Sequence, residues 1–216
     1  MILAVCGGKG GVGKTTTALN LAAELDAVLV DADLGMADVP AGRGPDLHDV
    51  LAGRATAVEA VRESGAVAVL PCGRTLAGAR ECDPRRLVDA LRAVAEAYGD
   101  VVVDCPAGLR ADVGLPLLVA DACVLVTTPD RAALADALRA RSLAVELDAG
   151  LAAVAYNRAS SGSDEVAAAL GAPVVAVPSE DAVVTAMAAG KPVAAVEDGA
   201  AAARFAALAE RVRETR

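Results

Sequence analysis

The stretch Gly8-Lys9-Gly10-Gly11-Val12-Gly13-Lys14-Thr15-Thr16-Thr17 constrains the fold more than any other part of this chain. It follows an apolar run at residues 2–6 and precedes an amphipathic segment at 15–25, so it occupies the turn from a buried strand into a helix. Its spacing matches G-x-x-x-x-G-K-[ST]. Glycines at such a turn let consecutive backbone N–H groups face inward, and the helix that follows directs the positive end of its dipole to the same point. A concavity of that kind takes phosphate oxygens. By the same chemistry Lys14 neutralises β and γ phosphates and the Thr15 hydroxyl can ligate Mg²⁺. Lys9 is then one cation more than the loop needs.

The rest of the chain supplies the α/β architecture that this turn demands. Runs at 2–6, 27–30, 66–70, 101–103, 122–126, 151–155 and 174–177 are apolar throughout and do not alternate, which predicts strands buried on both faces of a parallel sheet. Helical spacing occurs at 15–25, 84–97, 131–146, 164–170, 181–189 and 200–213. Asp83 before Pro84 and Ser163 before an acidic turn read as helix starts, and Gly99, Gly150, Gly171 and Gly190 as stops. The expected fold is α/β: a doubly wound, mostly parallel sheet with helices on both faces, as in P-loop NTPases. No Ser- or Pro-rich linker interrupts the 216 residues, so 1–216 reads as a single domain. Hydrophobic residues make up 55% but aromatics 1%, so the core must be built from Ala, Val and Leu.

Sheets of this kind bind ligands beyond the C-terminal ends of their strands. The chemically informative residues fall there: the loop at 7–14, Asp31 to Asp33, Asp104 to Gly108, Thr127 to Pro129, and Asn157. Mg²⁺ takes oxygen ligands and keeps several waters, so Asp104 suits a metal role held through water. One of Asp31 and Asp33 could orient a water attacking the γ-phosphate.

Composition removes several function classes. A net charge of −9 opposes broad attraction to nucleic acid or anionic lipid. The five cysteines, Cys6, Cys72, Cys82, Cys105 and Cys123, contain no C-x-x-C pair, which argues against a disulfide framework and a zinc site. Cys6, Cys105 and Cys123 lie in strand-like runs and read as buried free thiols in a reducing cytoplasm. The first residues read as a strand and not as a signal peptide, and no run is long enough to span a bilayer. His48, in a polar stretch, reads as a surface histidine. Arg80, Arg85 and Arg86 read as a solvated helix start.

Lys9-Gly10-Gly11-Val12-Gly13-Lys14-Thr15-Thr16 resembles the deviant Walker A motif of the MinD/ParA ATPases, in which an additional lysine stands near the start of the loop. Further stretches resemble MinD-like proteins in the family's order: Asp31-Ala-Asp-Leu-Gly-Met36, Asp104-Cys-Pro-Ala-Gly108, Thr127-Thr-Pro129, Asn157-Arg158, Pro178-Ser-Glu-Asp181 and Gly190-Lys-Pro-Val193. The resemblance implies ATP and Mg²⁺ as cofactors, bound by Gly8, Lys9, Gly10, Gly11, Val12, Gly13, Lys14, Thr15 and Thr16. It implies that Lys9 reaches the nucleotide of a second protomer, that Lys14 and Asp33 act with it in hydrolysis, and that Asp104 is the Walker B carboxylate. Asn157 would read the adenine, and Asp31, Asp38, Pro106 and Gly108 would belong to the switch segments.

Two departures qualify the likeness. Where MinD proteins carry an Arg-Asn-Leu-Asp-like stretch, this chain has Ala37-Asp38-Val39-Pro40, so the first switch is altered. At the C-terminal end, Phe205, Leu208, Ala209 and Val212 form one apolar stripe suited to docking on the sheet, and no amphipathic membrane tail is expected beyond them. The function expected is a cytoplasmic ATPase switch: a homodimer in the ATP state, slow hydrolysis, and control of an unidentified protein partner. There is no strong nucleic-acid signal and no membrane anchor of its own. The alternatives are an ATP-dependent maturation or ligase-type enzyme of the same P-loop class, and an ATP-binding dimeric module with little hydrolysis.

Overall fold

A computed structural model describes residues 1–34, 43–73, 75–108 and 111–215. The elements run β1 (Ile2–Cys6), α1 (Lys14–Leu25), β2 (Val28–Asp31), α2 (Leu47–Leu51), α3 (Ala57–Ala60), β3 (Val69–Leu70), α4 (Leu76–Glu81), α5 (Leu87–Tyr98) and β4 (Val101–Asp104). They continue as α6 (Ala111–Leu117), β5 (Ala122–Thr127), α7 (Arg131–Glu146), β6 (Gly150–Asn157), α8 (Asp164–Leu170), β7 (Val174–Val177), α9 (Asp181–Ala188) and α10 (Ala200–Arg213). The named strands form one seven-stranded sheet in the order β3-β2-β4-β1-β5-β6-β7, and every pairing among them is parallel. The strand order turns back at β1, which puts its loop in the crevice where such sheets hold ligands.

The apolar, non-alternating strands are explained by cover on both faces. In β1, Ile2, Ala4 and Cys6 join one buried cluster with Leu91 and Val94 of α5 and Ala140 of α7. Leu3 and Val5 point the other way, into a cluster with Leu19 and Leu21 of α1 and Leu208 and Val212 of α10. Each fully buried Leu or Val contributes about 1.5–3 kcal/mol, so both layers are needed. Scarcity of aromatics shows in α7, whose buried face is Ala133, Ala137, Ala140 and Ala144. The C-terminal stripe behaves as its spacing predicts: Phe205, Leu208, Ala209 and Val212 are all buried. Among the described residues no helix is long and apolar enough to cross a membrane. The five cysteines are free, and Cys6, Cys105 and Cys123 are buried as expected, with Cys72.

Several boundaries differ from the sequence expectation. The strand expected at 66–70 shortens to Val69–Leu70, because the chain folds back and Arg62 exchanges both backbone hydrogen bonds with Val69. The helix expected at 84–97 begins as a 3₁₀ turn, Pro84–Arg86, with Asp83 accepting from the Arg85 N–H before α5 starts. Gly150 opens β6 and does not end α7; Asp148 takes the left-handed turn there, with φ 59°. Arg85 pairs with Asp83 on the surface, as a solvated helix start should.

His48 corrects the sequence reading outright. It is 4% exposed, because α2 turns it inward beneath the loop leaving β2.

Candidate phosphate and nucleotide site

The glycines of the loop after β1 have separate physical reasons. A side-chain carbon on Gly7 would lie 2.5 Å from the Val126 carbonyl oxygen, and one on Gly8 2.6 Å from that of Asp136, so these two let the loop lie against β5 and α7. Gly13 sits at φ 99°, which side chains disfavour, and it caps the start of α1. A side-chain carbon on Gly10 or Gly11 would meet no other atom within 4 Å, so packing does not demand these two, and Gly11 is required by its φ of 77°. Lys14 is buried at the first position of α1, and its Nζ donates to the Lys9 carbonyl at 3.4 Å. The first turn of α1 is fixed beside it: Thr17 Oγ1 donates to Gly13 O at 2.9 Å, and Asn20 Nδ2 to Thr16 O at 2.8 Å. Asn20 Oδ1 also accepts from the Val193 N–H at 2.8 Å, tying the helix to the Gly190–Val193 stretch.

Beside the loop opens a cavity of about 300 Å³, with Val12, Gly13, Thr16 and Asn157 on one side and Pro178, Val183, Met187 and Phe205 on the other. Asn157 ends β6 and is buried; its Nδ2 donates to Val12 O at 2.9 Å, while Oδ1 has no hydrogen-bond partner among the described residues. A buried acceptor left open in a cavity wall suits a ligand that donates. Arg158, held at φ 57°, donates from Nη2 to Gly11 O at 2.9 Å and braces the apex of the loop. Arg158 has no site role legible in the sequence, since nothing local signals a contact 147 residues away. Glu180 lines the cavity and accepts from the Ala201 N–H at 3.1 Å, at the start of α10.

The other predicted residues lie at neighbouring strand ends. Asp31 and Asp104 are directly paired in register at the ends of β2 and β4, and both are buried. The Asp33 N–H donates to Asp31 Oδ1 at 3.2 Å. Pro106 is buried, and Gly108 is half-exposed at φ 97°. Asp38 and the rest of 35–42 lie outside the described residues. Burial pushes the Cys105 thiol well up, and Cys6 and Asp104 add to the effect, so it stays protonated under the site.

Lys9 stands apart from its own loop's interior. Its side chain is 48% exposed, with Nζ 3.8 Å from Asp130 Oδ1. Asp130 caps α7, accepting from the N–H groups of Ala133 and Ala132; these bonds, with Lys9 adding to them, hold its carboxyl below the ordinary range. At that distance and exposure the ion pair contributes little.

A glycine cradle with a buried lysine, a base-sized cavity beside it and paired carboxylates at the next strand ends define a nucleotide-binding P-loop protein of the α/β class. Residues 3–193 match the CobQ/CobB/MinD/ParA nucleotide binding domain, and the chain belongs to that family. It is 32% identical, over 83% of its length and 74% of the relative's, to an uncharacterized ATP-binding protein of Methanocaldococcus jannaschii. Among solved structures it is similar to the cell division ATPase MinD of Pyrococcus furiosus, with TM-score 0.91 and 27% identity over 99% of this chain and 98% of that one. It is also similar to the septum site-determining protein MinD of Pyrococcus horikoshii in complex with Mg-ADP, with TM-score 0.89 and 26% identity over 97% and 94% of the two chains.

Proposed function

We propose that residues 1–216 act as one MinD-like ATPase switch, which binds ATP and Mg²⁺, closes into a homodimer around the nucleotides, and reopens on slow hydrolysis. The observation that carries this reading is the division of labour between two lysines five residues apart. Lys14 is buried at the cradle, whereas Lys9 is half-exposed and only loosely paired with Asp130. A cation outside its own cradle is available to a second copy, and nucleotide state and assembly are then coupled.

In this reading the inward N–H groups of Gly10, Gly11, Val12 and Gly13 and the start of α1 hold the phosphates. The open Asn157 Oδ1 accepts from the exocyclic amine of adenine, which distinguishes it from guanine. Mg²⁺, ligated by Thr15 and through water by Asp104, would neutralise phosphate charge. Asp33 supports the attacking water, with Asp31 fixing its backbone. Pro106 and Gly108 start the segment that responds to the γ-phosphate, and Asp38 belongs to the other switch. Hydrolysis releases a protein partner that the switch positions. The test is phosphate release from ATP by wild type, Lys9→Ala and Asp33→Ala. Loss of one transition-state contact in each variant predicts a fall on the order of 10²–10³-fold. Wild-type rates in both would end the proposal.

A further inference from the structure

The loop that leaves β2 with Asp33 is held at both described ends by side chains distant in sequence. At the near end, His48 Nε2 lies 3.2 Å from Leu34 O and 3.6 Å from Cys72 Sγ, and Cys72 Sγ donates to Asp33 O at 3.0 Å. At the far end, Arg62 Nη2 donates to Gly44 O at 3.3 Å and Pro45 O at 3.0 Å. A carbonyl only accepts, so Nε2 of His48 carries a hydrogen and donates it to Leu34 O.

The receptacle for this imidazole is specific. A side-chain carbon on Gly73 would lie 1.8 Å from His48 Nδ1, and one on Gly78 3.0 Å away, so both glycines make room for the ring. Nδ1 itself is buried with no hydrogen-bond partner among the described residues. Such an atom costs stability that an apolar side chain of similar volume would not. What histidine supplies here, and leucine would not, is the bond to the backbone beside Asp33.

We infer that His48, with Cys72 as its support, is a positioning residue for Asp33: it fixes the main chain at 33–34 so that the carboxylate is delivered to the γ-phosphate. The inference rests on the hydrolytic role of Asp33 proposed above. A misplacement of about 1 Å at a reacting group costs up to about 10²-fold in rate, so a loosened anchor has a measurable price.

The experiment compares His48→Leu and His48→Gln, each alone and with Asp33→Ala. It reads ATP turnover, calorimetric binding of ADP with Mg²⁺, and hydrogen exchange of the amides at 31–34. His48→Leu should lower kcat by on the order of tenfold, leave KM and ADP affinity within about twofold, and speed exchange at 33–34. His48→Gln, which keeps an N–H near the same place, should recover much of the rate. On the Asp33→Ala background His48→Leu should cost nothing further. The inference is overturned if folded His48→Leu keeps wild-type turnover and exchange, or if kcat and ADP affinity fall together with Gln no better than Leu. If Asp33→Ala hydrolyses ATP normally, the proposed role of Asp33 fails, and the exchange measurement alone decides whether His48 holds 33–34.

Discussion

The loop after β1 and the loop after β2 both end at the same crevice, but they differ in how much of their support is their own. The turn of the first is closed mainly by its own residues, since Gly13 caps α1, Thr17 bonds back to Gly13 O and Lys14 bonds to Lys9 O, with Arg158 and Asn157 bracing it from β6. The second is assembled from a distance, with Leu34 held by His48, Asp33 O by Cys72, and Gly44 and Pro45 by Arg62. A cradle closed mainly by its own residues depends less on the remoter parts of the site. A loop anchored through remote side chains can be loosened without touching the ligand, which is the property expected of a part that responds to nucleotide state and not merely to its presence.

Substitutions in the first loop should therefore weaken binding or folding, whereas those in the second should spare both and slow turnover. The largest effect is expected from Lys14→Ala, which removes the cation at the phosphates and should cost about 2–5 kcal/mol of ATP affinity by calorimetry. Gly8→Ala comes next: its new carbon meets Asp136, so chemical denaturation should show a loss of about 1–3 kcal/mol. Gly10→Ala makes the contrast within one loop, because its methyl group meets no other atom and should leave folding stability within about 0.5 kcal/mol by the same measurement. In the second loop, Gly73→Ala displaces the His48 ring and should slow turnover by on the order of tenfold with ADP affinity unchanged. The smallest effect concerns α2, which carries His48. The hydrogen bond from Arg54 to Asp49 holds that carboxyl below its ordinary value, so its contribution is present above about pH 4 and is lost as pH falls through the lowered value. A denaturation series should show a slight extra loss of stability in that window for wild type that Arg54→Ala lacks, since the pair is largely exposed.

The same contrast explains what the sequence made legible. The strands, the cradle and the C-terminal stripe announce themselves through contiguous residues or one helical period, and the sheet and α10 follow them. His48 misled because its own neighbours, Asp46 and Asp49, are polar, while the glycines that receive its ring lie 25 and 30 residues further on. One local signal was available: Asp46 with Asp49, and Thr56 with Glu59, each form a reciprocal capping box, the pattern that marks the starts of α2 and α3. A histidine at the second position of a capped helix can face inward, and a start signal there would have prompted that question. Arg158 and Glu180 had no such local sign. Their contacts, to Gly11 O and the Ala201 N–H, exist only once the end of β6 meets the loop after β1 and the start of α9 meets that of α10.

The proposed switch depends on Lys9 serving a second protomer. Solution mass by light scattering, measured with ATP and Mg²⁺ and again with ADP, addresses it most directly in wild type and Lys9→Ala. Wild type should show about twice the protomer mass with ATP and Mg²⁺ and the protomer mass with ADP, and Lys9→Ala the protomer mass in both. Equal masses for the two proteins with ATP, whether both single or both double, would contradict it.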